Sequence, residues 1–228
     1  MNTVQKIFAY LILPLAIILL AYLCVASVMQ PVNFNKQKEA REKVAIQRLK
    51  DIRDLQVAFK SANGRYAPTV DSLIWFYNEG KLDVVMQIGS QDDSLAVENT
   101  KKIYKKQPKI TAAELFKLYE EGEALVFKIK NQVAVKDTIC KRADFCVDSL
   151  NFIPYSGGRK IEMESAIKVV SGVNVPLFEA CIPYKALLKD MDHQLIVNLV
   201  AEREDTDRYP GLKVGSITAP NNNAGNWE

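Results

Sequence analysis

The chain has 228 residues, of which 48% are hydrophobic and 25% are charged, close to the composition of ordinary globular proteins. Its 30 basic and 27 acidic residues are interspersed and give a net charge of +3. A nucleic-acid-binding protein usually concentrates its basic residues on one face, so this distribution argues against that class. The length allows a membrane anchor followed by one medium domain, or by a helical stalk and a compact head.

The first predicted element is a membrane-spanning helix. No charged residue occurs from Ile7 to Asn35, and the segment Phe8–Met29 is almost wholly apolar. A bilayer core requires about 20 apolar residues in a helix, so this segment is long enough to cross it. Pro14 lies about one turn into the apolar segment, where a helix tolerates proline best. We therefore predict a transmembrane anchor over residues 1–30.

Three other interpretations of this segment fit less well. A cleaved signal peptide has an apolar core of about 7–15 residues, and Cys24-Val25-Ala26 is a poor cleavage site. A lipoprotein signal has small residues just before the modified cysteine, whereas Tyr22 and Leu23 precede Cys24. A buried core helix of this length without a polar face would be unusual. The anchor is therefore predicted to be retained.

The charges beside the anchor give conflicting signals for its orientation. Lys6 precedes the apolar segment, whereas a run of basic residues follows it, so the positive-inside rule places the C-terminal domain in the cytoplasm. A short, positively charged N-terminal tail, however, is the usual start of an anchor that sends its C-terminal side outward. We favour a head outside the cytoplasmic (inner) membrane of a bacterium. The basic residues after the anchor are Lys36, Lys38, Arg41, Lys43, Arg48 and Lys50, diluted by Glu39 and Glu42.

A charged helix with an apolar stripe is predicted after the anchor. The segment Asn35–Ala62 contains no Gly or Pro, and its apolar residues recur at three- and four-residue steps. The stripe packs either on the head or on another copy of the chain, and the lack of sustained heptads favours the head. We predict a helical stalk over residues 31–65 whose stripe is a possible interaction surface. The stripe consists of Ala45, Leu49, Ile52, Leu55 and Phe59.

The head, residues 66–228, is predicted to begin with short helices. The sequence Asn63-Gly64-Arg65-Tyr66-Ala67-Pro68 has the composition of a turn that ends the stalk. Thr111 and Glu114 match a capping box, which marks a helix N-terminus. The predicted elements are a helix from Thr69 or Asp71 to Gly80, a strand over Leu82–Ile88, a loop-rich segment over Gly89–Pro108, a helix over Ala112–Glu121 that stops at Gly122, and a strand within Glu123–Thr138.

The second half of the head is predicted to be mainly extended. Helices followed by antiparallel strands predict an α+β fold. Gly157-Gly158 and Ser171-Gly172-Val173-Asn174 are turn sequences between successive strands. The Asn-rich tail Pro220–Glu228 suits turns, and its Trp227 is expected either to dock on the head or to contact a partner. The predicted strands are Phe152–Tyr155, Lys160–Val170, Val175–Ile182, His193–Glu202 and Leu212–Ile217, with a short helix over Tyr184–Met191.

One cluster of lysines is the nearest candidate for a nucleic-acid site. Five lysines close to one aromatic residue can hold phosphate, but a solvated turn before a helix is the commoner interpretation. We therefore predict no nucleic-acid partner. The cluster consists of Lys101, Lys102, Lys105, Lys106 and Lys109, around Ile103 and Tyr104.

We find no catalytic or cofactor-binding constellation in the sequence, and predict that the protein is not an enzyme and binds no cofactor. The one histidine, His193, is predicted to be a surface or turn residue, without an accompanying nucleophile motif. Asp190 and Asp192 form an acidic pair. A second acidic group also contains basic side chains, Arg203 and Arg208, which indicates a solvated loop. Its acidic residues are Glu202, Glu204, Asp205 and Asp207.

Three cysteines lie outside the anchor. Cys140 and Cys146 are close enough in sequence for a possible disulfide, which would be compatible with an oxidising compartment. Cys181 stands apart, so the three do not form a dedicated disulfide framework. A zinc site would require a fourth ligand at short paired spacing, and His193 has no such partner nearby, so no metal site is predicted.

The N-terminal quarter of the chain resembles type IV pilin-like proteins and pseudopilins. The matching pieces are Phe8–Met29, Lys36–Ala62 and the turn Asn63-Gly64-Arg65-Tyr66-Ala67-Pro68-Thr69. The resemblance implies an α+β head and a role in an envelope assembly. The chain departs from the family in lacking its Gly-Phe-Thr-Leu-Ile-Glu processing motif and a glutamate within the apolar segment, and Pro31 is expected to interrupt the helix. The whole chain also looks like bacterial single-pass membrane proteins.

Three hypotheses of function follow. The first is a non-catalytic subunit of a bacterial envelope assembly, pilin-like or otherwise, that contacts membrane lipid through its anchor and either a protein partner or itself through its head. The second is a cytoplasmic-facing membrane adapter whose basic juxtamembrane helix binds anionic lipid headgroups. The third is an enzyme whose site is not recognisable in the sequence. No small-molecule substrate is identified.

Overall fold

A computed structural model describes residues 12–228, so the N-terminal tail and the start of the predicted anchor lie outside the described residues. Its first helix, α1, is Leu13–Asn63 and has 51 residues. Pro31 lies inside α1, so the expectation that it interrupts the helix is wrong. A proline removes one backbone N–H, and a long helix continues on both sides of that missing bond. The predicted anchor and stalk are therefore one helix.

The chain forms two compact units, and α1 contributes to both. Unit one contains the described residues up to Arg53, Pro68–Val70 and Asp148–Glu228. Unit two contains Asp54–Ala67 and Asp71–Val147. Helices and antiparallel sheets occur together, which confirms the predicted α+β class.

Unit one contains a three-stranded antiparallel sheet. Its strands β3, Glu162–Val170, β4, Val173–Pro183, and β5, Gly211–Gly215, lie in the order β3-β4-β5. Ser171 and Gly172 join β3 to β4 with φ angles of 51° and 82°. Two left-handed residues form the tight turn that matches the right-handed twist of paired strands. The predicted hairpin is therefore present, with β4 beginning two residues earlier than expected.

Two helices follow β4 in unit one. Helix α5 is Tyr184–Leu187, shorter than the predicted Tyr184–Met191, and α6 is His193–Asp205. The predicted strand over His193–Glu202 is therefore wrong. The carboxylate of Asp192 accepts a hydrogen bond from the Leu195 N–H at 3.0 Å and caps α6. Ile196 and Val200, four residues apart, are the buried positions of this helix, which is a helical and not a strand period.

The segment before β3 is also less extended than predicted. Residues Val147–Asn151 form a 3-10 helix, and Phe152 and Lys160 pair as an isolated bridge around the Gly157-Gly158 turn. The predicted strand over Phe152–Tyr155 is therefore reduced to that single bridge.

Unit two contains a two-stranded sheet. Strand β1, Lys81–Ile88, pairs with β2, Phe127–Ala134, over eight residues in antiparallel register. Helix α2, Val70–Glu79, precedes β1, and α4, Ala112–Glu120, precedes β2. The capping box of Thr111 and Glu114 is present at the start of α4, as predicted.

A further helix replaces the loop predicted over Gly89–Pro108. Helix α3 is Ser94–Lys106, and the Asp93 side chain accepts hydrogen bonds from Leu95 and Ala96 at its start. The buried Thr100 hydroxyl donates to the Ala96 carbonyl oxygen at 2.7 Å and accepts from the Val126 N–H at 2.9 Å. The predominance of polar residues in this segment concealed its helical period.

The core of unit two lies between its sheet and helices. Leu115, Leu125 and Phe127 are buried together, with partly buried apolar residues around them. Gln56 of α1 is completely buried, and its amide exchanges two hydrogen bonds, at 3.0 and 2.8 Å, with the backbone of Ala67. These bonds fix the turn that follows α1, at the place where the sequence predicted a turn.

Candidate functional site

The first part of α1 has the properties of a membrane span. By length and composition, α1 is long and apolar enough to cross a membrane, and no residue of its most apolar window is buried. Ile18, Leu20 and Val25, for example, are all more than 60% exposed. An exposed apolar surface of this length is unfavourable in water and favourable in a bilayer.

The second part of α1 is attached to unit one by charged side chains. The guanidinium of Arg41 donates to both carboxylate oxygens of Asp190, one of them at 2.8 Å, and to the Leu187 carbonyl oxygen at 3.1 Å. It also lies over the Tyr155 ring, 4.8 Å from the ring centre. The hydrogen bonds from Arg41 lower the pKa of Asp190 from 3.8 to about 2.

A buried tyrosine makes the next contact. The Tyr184 hydroxyl donates to a carboxylate oxygen of Glu42, and a nitrogen of Arg203 lies 3.5 Å from the same hydroxyl. Burial, followed by the hydrogen bond to Glu42, raises the pKa of Tyr184. The tyrosine is therefore a hydrogen-bond donor at any physiological pH and acts as a structural link between α1 and α5.

Two more arginines of α1 contact distant segments of unit one. Arg48 donates to the Phe152 carbonyl oxygen, and Arg53 pairs with the carboxylate of Glu228 at 2.6 Å. Three of the basic residues that follow the apolar segment are thus engaged within the chain. We call this set of contacts, which Arg41, Glu42, Arg48 and Arg53 make with unit one, the helix seam.

A groove of about 470 Å³ lies where the apolar segment of α1 meets unit one. At its wall the Gln30 amide donates to the Asp192 carboxylate at 2.8 Å. Asp192 is therefore engaged twice, by Gln30 and by the start of α6, and Asp190 is paired with Arg41. Both carboxylates of the acidic pair seen in the sequence therefore bind side chains of α1. The groove is lined by Ala26, Met29, Gln30, Asn33, Phe34, Gln37, Met191, Asp192 and Leu195.

The β5 edge of the unit-one sheet is covered by the C-terminal tail. The Gly215 N–H donates to the Ala224 carbonyl at 3.0 Å, and the Asn226 N–H donates to the Lys213 carbonyl at 2.9 Å. The Asn226 side chain accepts from the Lys213 N–H at 3.0 Å and donates to the Gly211 carbonyl at 2.9 Å. The tail therefore satisfies the outward-facing backbone groups of β5.

The tail is also packed in place. The Trp227 ring lies against Gly225, where an added Cβ would come 2.3 Å from a ring atom. Of the two expectations for Trp227, docking on its own chain is the one present in the structure. Its indole nitrogen is buried and makes no hydrogen bond among the described residues.

The opposite edge of that sheet is formed by β3, and from Glu164 onwards no other strand of the described residues pairs with it. Just before β3, the Ile161 N–H donates to the Asn151 carbonyl oxygen and Phe152 bridges Lys160, so the start of this edge is covered. Strand β3 is the outermost strand, and its apolar Ile167 and Val169 are 62% and 70% exposed. An exposed strand edge offers unpaired N–H and C=O groups to another strand. This edge is the candidate interaction surface of the protein, and the sequence predicted the strand but not its position in the sheet.

The predicted interaction stripe is occupied by the chain itself. Ala45, Leu49, Ile52 and Leu55 are completely buried, and Phe59 is partly buried with its ring 5.1 Å from that of Phe76. The stripe therefore belongs to the core and does not offer a surface to a second copy. This packing is the alternative that the sequence favoured.

The other sequence candidates are dispersed. Cys140 is half-buried and Cys146 is exposed, and a disulfide between them stays a prediction. His193 begins α6, and four of the five clustered lysines lie on α3, where the sequence predicted a turn. Cys181 is buried, and this burial raises the pKa of its thiol to about 12. Within residues 12–228, no group of three or more His, Cys, Asp and Glu side chains is arranged to hold a metal ion.

Comparison of the chain with protein-family models, with curated proteins and with solved structures gives no match. The resemblance to pilin-like proteins therefore stays a prediction.

Proposed function

We propose that this protein is a non-catalytic subunit of a bacterial envelope assembly, anchored in the membrane by α1 and acting through protein–protein contacts. The observation that carries the proposal is the continuity of α1, in which one helix contains both an exposed apolar segment and a buried stripe. A helix is stiff, unlike a Gly- and Ser-rich linker. The parts of unit one that pack on α1 are therefore held at a fixed position beside the membrane.

The helix seam supports the same proposal. Each of its contacts joins α1 to a residue at least about 100 positions away in sequence, so the anchor and unit one move as one body. The sheet edge at β3 is presented on that body. A fixed, membrane-attached strand edge suits a protein that binds other envelope subunits rather than one that binds a diffusing substrate.

The proposal places the head outside the cytoplasm, and protease accessibility tests this. The full chain with a C-terminal tag is expressed in bacteria, and protease is added to intact spheroplasts. Loss of the tag without lysis is expected, while a cytoplasmic marker protein stays intact. Survival of the tag until the membrane is permeabilised would overturn the envelope assignment.

Recovery of partners tests the second half of the proposal. The tagged full chain is solubilised in mild detergent, captured and analysed for co-purifying membrane proteins, including an untagged copy of itself. An unrelated single-pass protein with the same tag is the control. Enrichment of a membrane protein over that control is expected, and recovery of the tagged chain alone would contradict a role in an assembly.

The helix seam weakens the alternative of a lipid-binding adapter. Arg41 and Arg48 are used in contacts within the chain, which leaves Lys36 and Lys43 as exposed basic residues near the apolar segment. Each basic residue near an anionic membrane surface contributes about 1 kcal/mol, so removing two weakens an electrostatic anchor considerably.

A further inference from the structure

The two edges of the unit-one sheet differ in a way that points to a specific partner. The tail residues that follow β5 pair with its outer edge, whereas no other strand of the described residues pairs with the outer edge of β3 from Glu164 to Val170. Natural sheets usually protect an edge by keeping it short, by placing charged side chains on it, or by a proline or a bulge. The charged residues of β3, Glu162, Glu164 and Lys168, are of both signs, so a second copy can pair with them. Strand β3 is longer than the usual five or six residues and contains no proline.

The hairpin turn fixes which backbone groups of β3 face outward. Val170 and Val173 flank a two-residue turn, and residues in that position form a hydrogen-bonded pair. Alternate residues from Val170 therefore bond to β4, and the residues between them point away from it. Ser165, Ile167 and Val169 consequently present their N–H and C=O groups at the open edge.

We propose that β3 pairs with β3 of a second copy of this chain, antiparallel and centred on Ala166. This inference rests on the proposed function and names the partner. Ala166 is the middle residue of β3, so the two-fold axis of this register passes through the centre of the strand. It also places Ser165 opposite Ile167 of the other copy, and both of these residues have outward-facing backbone groups, as antiparallel bonding requires.

Charge complementarity selects the same register. With Ala166 at the centre, Glu164 of each copy lies opposite Lys168 of the other, so the dimer contains two such pairs. Both side chains are exposed in the single chain. They occupy positions between the hydrogen-bonded pairs, where opposing side chains approach most closely. A register centred on Glu164 would instead place the two Glu164 side chains opposite each other. A register centred on Lys168 would do the same with the two Lys168 side chains.

The pairing would also cover apolar surface. Ile167 and Val169 lie on the opposite face of β3 from the two charges, and each gains a cross-strand neighbour. Because the contact is the same surface on both copies, it closes after two subunits and does not propagate. Among the described residues, the tail over β5 leaves the unit-one sheet no second open edge for further growth.

Charge reversal in the full chain tests the register. Glu164→Lys and Lys168→Glu each convert both opposing pairs to like charges, and each should weaken self-association at least about fivefold, measured by light scattering in detergent. A mixture of the two variants restores both pairs, because one copy carries two lysines and the other carries two glutamates. Heterodimers should therefore form in the mixture, which also proves that both variants are folded.

A cysteine at the centre of the contact tests the geometry in native membranes. In a chain whose own cysteines are replaced, Ala166→Cys should form a disulfide between copies under mild oxidation, because opposed residues at such positions have Cα atoms about 4.5 Å apart. Glu162→Cys is the matched control on the same strand. The Glu162 positions of the two copies lie at opposite ends of the contact, too far apart for a disulfide. Equal crosslinking of both variants would overturn the register.

The outcomes separate this inference from the proposed function. A monomeric wild-type chain, or reversals that leave self-association unchanged, would overturn the β3 dimer. If such a chain still recovered other membrane proteins, the envelope-assembly proposal would stand. If the head were cytoplasmic while Ala166→Cys crosslinked, the dimer would stand and the envelope proposal would fall.

Discussion

At the scale of single residues, attachment of α1 depends on side chains that are far apart in sequence. Arg41 and Asp190 are 149 positions apart, and no local pattern in the sequence connects them. Asp190 and Asp192 were recognisable as an acidic pair, but their partners were not. An exposed carboxylate and an ion-paired carboxylate have the same sequence signature, and only the fold brings the arginine to one of them.

The lowered pKa of Asp190 gives a prediction about pH. In the folded chain this pKa is about 2, below its ordinary value of 3.8. The ionised carboxylate therefore stabilises the folded state at pH values above about 4, and this contribution is lost as the pH falls towards 2. Asp190→Asn should lower the thermal unfolding midpoint of the full chain in detergent at pH 7, and the difference from the wild type should vanish near pH 2.

The control for this prediction is Asp54→Asn. Asp54 is an exposed carboxylate of α1, and its replacement removes the same charge. A midpoint that falls equally in both variants, or a difference for Asp190→Asn that persists at pH 2, would contradict a specific bond to Arg41.

Cysteine reactivity gives a second prediction at this scale. Burial raises the pKa of Cys181 to about 12, and the thiolate is the reactive form, so Cys181 should resist maleimide at pH 8 until the chain unfolds. In a Cys24→Ser chain, the exposed Cys146 should be labelled rapidly under reducing conditions. Labelling of Cys146 that requires reductant would support the disulfide with Cys140. Rapid labelling of Cys181 in the native chain would contradict its burial.

At the scale of elements, the apolar stripe of α1 gives the clearest prediction. Leu49 is completely buried, so Leu49→Ala removes buried methyl groups and leaves a cavity, which destabilises a protein by about 2–5 kcal/mol. Val44 on the same helix is 41% exposed, and Val44→Ala should change the unfolding free energy much less. Denaturant unfolding of the full chain in detergent measures both. Similar losses in the two variants would indicate that the stripe does not pack as described.

Elements with strong local signals were predictable, and those whose signals conflict were not. The capping box at Thr111 and the turn sequence Ser171-Gly172 specify their structures through a few neighbouring residues. The β-branched residues of helix α6 favour a strand, which is why the sequence predicts one, although the capping aspartate and the four-residue step of Ile196 and Val200 favour a helix. Tertiary burial of that face decides between the two.

At the scale of the whole molecule, the order of strands in each sheet could not be derived from the sequence. β1 and β2 pair across two intervening helices, and the tail pairs with β5 although its Asn-rich composition indicates turns. The chain alternates between two units, and no local pattern in the sequence marks where it passes from one to the other. Long-range pairing of this kind depends on which faces remain to be buried once local structure has formed.

The covered β5 edge and the open β3 edge together determine how large an assembly can become. Ending the chain after Ala219 removes the tail and exposes the outward-facing groups of Lys213 and Gly215. A sheet with two open edges can extend without closure, so light scattering of the truncated chain in detergent should show masses beyond a dimer. Asn222→Gly in the intact tail is the control, because glycine readily adopts the φ of 57° at this position, and it should retain the wild-type mass.

A second substitution makes this prediction specific. Adding Glu164→Lys to the truncated chain disfavours contact through β3 and leaves the β5 edge as the open one, so growth should stop at pairs. Masses that stay large in the combined variant would mean that truncation causes unspecific aggregation. Masses that fall to those of pairs would mean that each edge of the sheet carries one contact, and that the tail is the element that limits self-association of this chain to a closed dimer.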